Sequence, residues 1–96
     1  MSKGHPQATA TVQLDNDRAK VTLWHFVPGA HTGWHRHEMD YVVVPLTTGA
    51  LTIDDGKSLN RGEMRMGVSY ARPAGVEHDV INANDFEFSF VEIELK

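Results

Sequence analysis

Short segments in which apolar and polar residues alternate dominate the chain. The clearest are KVTLWHF, DYVVVPL, ALTID and EFSFVEIEL, which are rich in β-branched and aromatic residues. Helical periodicity is not sustained anywhere in the sequence. Turn formers such as DNDR, PGAHTG, DDG and NAND separate these segments at intervals of about a dozen residues, as in antiparallel sandwiches and barrels. The pattern predicts an all-β fold of roughly eight to ten short strands.

Two local features refine this prediction. The Asp55-Gly56 pair between LTID and KSLN predicts a tight hairpin with a two-residue turn, because glycine adopts the positive φ that such a turn needs. In the last strand the apolar residues change phase, from phenylalanine at the even positions 86–90 to aliphatic residues at the odd positions 91–95. We expect a bulge near Phe90 that switches the buried face, and an apolar face that can contact a second copy of the chain.

Length, composition and charge limit the classes of fold and partner. The 96 residues, 41% hydrophobic and 23% charged, are typical of one globular domain over residues 1–96. Residues 1–10 carry no strong pattern, and we expect them to be frayed or to form an exchanged edge strand. A net charge of -4 with dispersed basic residues disfavours nucleic acid and membranes as partners. Without a long apolar run or a secretory signal pattern, the expected location is cytoplasmic.

Histidines are the candidate metal ligands, because the chain has no cysteine and any metal must bind nitrogen or oxygen. The segment HTGWHRH holds three of the six histidines. Within it, His35 and His37 are two residues apart, so on a strand they share a face and can converge on one ion. His78 follows the turn RPAG at the start of another short strand, from which we expect it to reach across a barrel to the pair. Three imidazoles from two strands can form a metal site with open positions. The alternative is that the three histidines are hydrogen-bonded polar residues that line a barrel without metal.

These residues lie in two motifs that resemble those of the cupin superfamily. The second motif, G-x5-P-x-G-x2-H-x3-N, is matched at every spacing by Gly67, Pro73, Gly75, His78 and Asn82. The first, G-x5-H-x-H-x3or4-E-x6-G, is matched in part by Gly29, His35, His37 and Gly49. The sequence further resembles a small single-domain cupin group named for β-alanine degradation. The resemblance implies an antiparallel jelly-roll barrel with its site inside.

The glutamate of the first cupin motif is missing from this chain. Its position is Tyr41 if three residues follow His37, or Val42 if four do. Regular alternation points Tyr41 inward, whereas the longer spacing needs a bulge. The resemblance therefore implies one divalent ion, Fe, Zn, Ni or Mn, held by histidines alone. Three-histidine cupins include iron(II) dioxygenases that act on thiols and diketones.

Three further side chains are candidates for the site. Tyr41 is either a proton donor to the reacting groups or a core aromatic residue. His31 is either a fourth ligand or a loop histidine, and Arg72 either binds an anionic substrate or lies on the surface.

The sequence supports two hypotheses for function. The first is a small cytosolic metal-binding cupin that acts on a small, carboxylated metabolite by dioxygenase-like or Lewis-acid chemistry. The alternative is a non-catalytic module that binds or senses a small ligand. For the metal site, affinity is expected to fall where histidine protonates, at about pH 6 to 6.5 for unperturbed groups. We also expect a homodimer, because the last strand has two apolar faces.

Overall fold

The computed structural model describes residues 5–96, which form nine β-strands. They are β1 (Thr9–Asp15), β2 (Ala19–Phe26), β3 (His35–Arg36), β4 (Tyr41–Pro45), β5 (Gly49–Asp54), β6 (Leu59–Met64), β7 (Tyr70–Arg72), β8 (Glu77–Ile81) and β9 (Phe88–Leu95). One antiparallel sheet has the order β1-β2-β9-β4-β7 and the other the order β3-β8-β5-β6. This arrangement confirms the all-β jelly-roll prediction and the expected number of strands. No helix in the described part of the chain is long and apolar enough to cross a membrane.

The amino-terminal segment forms the edge of the larger sheet. Residues 1–4 lie outside the described residues, but Thr9 and Ala10 begin β1 and pair with β2 of the same chain. The inner face of β1 is left open, with Val12 52% exposed.

The hairpin predicted at Asp55 and Gly56 joins β5 to β6, but its turn is longer than predicted. The loop spans residues 55–58 instead of two residues. The Asp55 carboxylate accepts hydrogen bonds from the backbone N–H groups of Lys57 and Ser58, at 2.9 and 2.8 Å. Gly56 adopts a φ of 89°. The two-residue prediction was wrong because the aspartate side chain caps two amides and stabilises a wider turn.

The bulge predicted near Phe90 is absent. β9 keeps a continuous register with both of its neighbours, β2 and β4. Phe88, Phe90 and Glu92 therefore all face the interior and are buried, whereas Val91 and Ile93 lie half-buried on the outer face. The regular pleat overrides the change of phase in the sequence and places a carboxyl group inside the barrel.

Asn82, the last residue of the second motif, connects the ends of several elements. It is fully buried, and its side-chain amide donates hydrogen bonds to the carbonyl oxygens of Phe86, at 2.9 Å, and of Phe26 and Val27, at 3.3 Å. Its side-chain oxygen accepts a hydrogen bond from the backbone N–H of Asn84 at 3.1 Å. This network joins the end of β2 to the segment between β8 and β9.

Candidate metal centre

Three histidines converge at the edge of the smaller sheet. His35 on β3 lies directly opposite His78 on the neighbouring strand β8, not across the barrel. His37 follows the end of β3, and its backbone N–H donates to the carbonyl of Val76 at 2.8 Å. Its carbonyl accepts from the N–H of Gly75 at 2.8 Å, where a φ of 97° favours glycine. The Pro-Gly turn of the second motif thus positions the second histidine of the first.

The three side chains present their Nε2 atoms to one point. The Nε2 atom of His37 lies 3.0 Å from that of His35 and 3.2 Å from that of His78. Metal–nitrogen bonds of about 2.1 Å, set at right angles, separate two ligand nitrogens by about 3.0 Å. His37 and His78 are buried and His35 is half-buried. The donor set therefore fits one metal ion bound on a single face, with its remaining positions open.

Contacts behind His35 fix its tautomer. Its Nδ1 lies 2.9 Å from the carbonyl oxygen of Gly33, which can only accept, so Nδ1 carries the proton and Nε2 keeps its lone pair. The Gly33 N–H in turn donates to one carboxylate oxygen of Asp79 at 3.0 Å, and His31 Nδ1 lies 2.9 Å from the other. His31 thus holds the loop before His35 and lies outside the cluster of three histidines.

Burial keeps two of these imidazoles neutral. It lowers the pKa of both His37 and His78 to about 4, and the charge of a protonated His35 and of Arg72 acts in the same direction. Neutral imidazole is the form that binds metal. Proton competition at these two ligands consequently begins at lower pH than the range of about 6 to 6.5 expected for unperturbed histidine.

Tyr41 faces the interior, as regular alternation predicts, and Val42 lies half-buried on the opposite side of β4. The Tyr41 ring is 3% exposed and stacks on His37, with ring centroids 3.8 Å apart and planes inclined by 15°. Burial raises the pKa of the Tyr41 hydroxyl to about 12, although the nearby Arg72 opposes the rise. The phenol therefore keeps its proton at neutral pH and can donate a hydrogen bond into the cavity.

A cavity of about 210 Å³ adjoins the histidines, and Tyr41 and Arg72 both line it. Arg72 lies directly opposite Tyr41 on β7 and is exposed to solvent. Among the described residues, no carboxylate lies within ion-pair distance of its guanidinium. A cation without an internal partner thus lies beside the candidate metal centre.

Glu92 also lines this cavity, although the pattern of the sequence did not predict it there. One of its carboxyl oxygens lies 3.9 Å from Nε2 of His37. Burial raises the pKa of the Glu92 carboxyl to about 7, and the Glu94 carboxylate adds to the rise. The Trp24 indole opposes the rise, but its buried N–H reaches no described acceptor at hydrogen-bond distance. The period-two alternation through Phe88 and Phe90 was the signal that could have placed Glu92 inside.

The raised pKa of Glu92 makes the stability of the metal-free protein depend on pH. The carboxyl titrates at about 7 when folded and at 4.5 when unfolded, so stability falls as pH rises from 4.5 through 7. We expect Glu92→Gln to stabilise the protein by roughly 2 kcal/mol at pH 8 and by much less at pH 5. Urea unfolding of the apoprotein at both pH values measures this difference. Equal effects of Glu92→Gln at the two pH values would contradict this prediction. Glu87→Gln, which changes an exposed carboxylate on the surface, serves as the control.

The other histidines lie away from this centre. His25 pairs with the exposed carboxylate of Glu87 at 2.7 Å. The Nδ1 atom of His5 lies 2.9 Å from the carbonyl oxygen of Gly29, and the His5 ring lies 5.1 Å from that of His31.

The two packed sheets and the inward-facing histidines define a cupin. The family model described as a cupin domain matches residues 22–94, and the chain belongs to this family. A curated relative, β-alanine degradation protein BauB of Pseudomonas aeruginosa, is 53% identical over 93 residues, which are 97% of this chain and 98% of the relative.

Solved structures show the same fold. A cupin domain from Bordetella pertussis is 57% identical, covers 99% of each chain and superimposes with a TM-score of 0.96. A protein with a double-stranded β-helix domain from Klebsiella pneumoniae is 20% identical, and the match has a TM-score of 0.76. It covers 99% of this chain and 80% of the Klebsiella chain.

Proposed function

We propose that this chain is a cytoplasmic cupin that binds one divalent metal ion through His35, His37 and His78 and acts on a small carboxylated metabolite. The observation that carries the proposal is the pair of Nε2 distances, 3.0 and 3.2 Å, in the wall of a cavity of about 210 Å³. Imidazole suits Fe, Zn, Ni and Mn, and such an ion supplies Lewis-acid or dioxygen chemistry.

The residues of the chain give the substrate its orientation. The guanidinium of Arg72 supplies a planar pair of donors for a carboxylate of the substrate. No described side chain neutralises the charge of this guanidinium. Tyr41 lies between Arg72 and the histidines and holds a proton that it can donate to the bound substrate. The relative named for β-alanine degradation supports a short carboxylic acid as the substrate.

Turnover by metal-loaded protein tests this function. The protein, reconstituted separately with Fe(II) and Zn(II), is screened with thiols, diketones and short carboxylic acids, while oxygen uptake and product are followed. We expect turnover of a carboxylic acid that His78→Ala abolishes and Arg72→Gln weakens. Binding without turnover of any candidate would favour the alternative function, a ligand-binding or sensing module, for which the cavity beside the histidines is the supporting observation.

We also propose that the protein is a homodimer that buries the outer face of the larger sheet. Two cross-strand rows of aliphatic side chains cover this face at β2, β9 and β4. The rows consist of Leu23, Val91 and Val44, and of Val21, Ile93 and Val42. All six side chains are half-buried in the single chain. An apolar face of this kind favours a second copy as its occupant, because two identical faces can pair about a two-fold axis.

A charge in the middle of this outer face should separate the dimer. We expect Ile93→Glu to raise the dimer dissociation constant at least about 100-fold, because the carboxylate would be buried without a partner. Sedimentation equilibrium of the wild type and the variant measures the change. Val68→Glu, at a 56% exposed position in the loop between β6 and β7, should leave the dimer unchanged. A wild-type monomer at high micromolar concentration would refute the proposed interface.

A further inference from the structure

A buried carboxyl group lies beside the three histidines, on a strand that neither sequence motif includes. Glu92 on β9 is 9% exposed and lines the same cavity as the histidines. Among residues 5–96, its one contact within ion-pair distance is with Nε2 of His37, at 3.9 Å. Because a buried carboxylate without a cation is unfavourable, the position of Glu92 favours a positive charge next to His37.

The register of the larger sheet brings this carboxyl group close to the place of the missing motif glutamate. Of the two candidate positions for that glutamate, Tyr41 faces inward and Val42 faces outward, and neither supplies a carboxylate. On the neighbouring strand, Glu92 pairs with Val43, which is the next inward-facing residue of β4 after Tyr41. A carboxyl group therefore approaches the histidines from β9 instead of from β4.

The distance between Glu92 and His37 suits two ligands of one ion. Bonds of about 2.1 Å from a metal place two donor atoms about 3.0 Å apart at right angles and about 4.2 Å apart on opposite sides. The separation of 3.9 Å between the Glu92 oxygen and Nε2 of His37 lies within this range. No large movement of either side chain is needed for both to bind the same ion.

His37 links two groups of potential ligands. It belongs to the cluster with His35 and His78 and also to a cluster with Glu92 and Glu94, and within each cluster the donor atoms lie within 4.8 Å of one another. A nitrogen lone pair binds one ion, so an ion on Nε2 of His37 can recruit donors from both groups. Glu94 is half-buried and lines an adjoining cavity with Lys20, away from the cavity that Glu92 shares with all three histidines.

Resting on the metal site of the proposed function, we propose that Glu92 is the fourth ligand of the ion held by His35, His37 and His78. It replaces, from a different strand, the glutamate that the first motif lacks. The centre then has three nitrogen donors and one carboxylate, instead of histidines alone. A carboxylate favours harder ions such as Mn(II), whereas three imidazoles and one water already satisfy a tetrahedral Zn(II).

The affinities for two different metals distinguish a ligand from a nearby charge. Competition against a chromophoric chelator measures Mn(II) and Zn(II) binding by the wild type, Glu92→Gln and Glu94→Gln. We expect Glu92→Gln to weaken Mn(II) binding at least about tenfold more than Zn(II) binding, because the amide is a poorer ligand for the harder ion. Glu94→Gln removes the same charge two residues away. It should affect both metals to the same small degree, because a through-space charge effect does not distinguish two divalent ions.

The absorption spectrum of Co(II)-loaded protein provides a second readout, since the d–d bands depend on the ligands of the ion. We expect the bands to shift in Glu92→Gln and to stay unchanged in Glu94→Gln. An unchanged Co(II) spectrum in Glu92→Gln, or an equal weakening of Mn(II) and Zn(II), would overturn the inference. A second equivalent of Mn(II) that Glu94→Gln removes would also overturn it, because the carboxylate of Glu92 would then serve a separate ion.

These results separate the inference from the proposed function. A wild type that binds one ion per chain, with a Glu92→Gln variant that keeps full affinity for Mn(II), would refute the fourth ligand alone. Selective loss of Mn(II) in Glu92→Gln, without turnover of any carboxylic acid by the wild type, would establish the ligand and refute the proposed activity. A wild type that binds no metal would refute both.

Discussion

His37→Ala is expected to lower the affinity for Zn(II) or Fe(II) at least about 100-fold. The Nε2 atom of His37 is the one that lies within 3.2 Å of both other ligand nitrogens, so the variant keeps only two of three donors. The alanine also leaves the Tyr41 ring without its stacking partner, which opens the site to water. Competition against a chromophoric chelator measures the dissociation constant for the variant and the wild type.

Two variants make this result interpretable. His25→Ala removes an exposed histidine that pairs with Glu87, and it should bind metal as the wild type does. His35→Ala removes a less buried ligand and preserves the stacked pair of His37 and Tyr41, so it tests ligation with less risk to folding. Wild-type metal affinity in either ligand variant would show that the assignment of the centre is wrong.

Asn82→Ala is expected to reduce the free energy of unfolding by about 3 to 5 kcal/mol. The substitution leaves the carbonyl oxygens of Phe26, Val27 and Phe86 without the amide that donates to them, in a fully buried place. The total stability of a domain of this size is about 5 to 15 kcal/mol, so most of it would be lost. Urea unfolding followed by circular dichroism measures the difference.

Asn60→Ala is the matched control for this prediction. Asn60 is exposed and donates one hydrogen bond to the Asp55 carboxylate at 3.2 Å, so its loss should change stability by about 0.5 kcal/mol or less. A loss below about 1 kcal/mol in Asn82→Ala would show that the network around Asn82 does not hold the two segments together.

The strands and the local placement of the three histidines could be predicted because short-range rules govern them, whereas the contact of His35 with His78 depends on the pairing of β3 with β8. A two-residue period places His35 and His37 on one face, although only the first lies within a strand. The spacing of the second motif places His78 after a turn whose glycine adopts positive φ. Tyr41 faces inward for the same reason of alternation. These features depend on local geometry that the sequence states directly.

The remaining features of the site depend on contacts between distant segments. Glu92 was missed because the aliphatic residues after Phe90 predicted a bulge there. Only the pairing of β9 with β2 and β4 on both sides keeps the strand regular. The role of His31 depends on Asp79, which is 48 residues away. The length of the loop at Asp55 depends on a side-chain cap that competes with the two-residue turn. No periodic pattern encodes such pairings.

The metal content of the protein tests the central claim most directly. Untagged protein is purified without chelator, reconstituted with Fe(II), Zn(II), Ni(II) or Mn(II), dialysed, and analysed by plasma mass spectrometry. The three-histidine centre predicts one ion per chain for at least one of these metals, and none in a folded His37→Ala protein. A wild-type protein that retains no ion under any of these conditions, or a folded variant that retains a full equivalent, would contradict it.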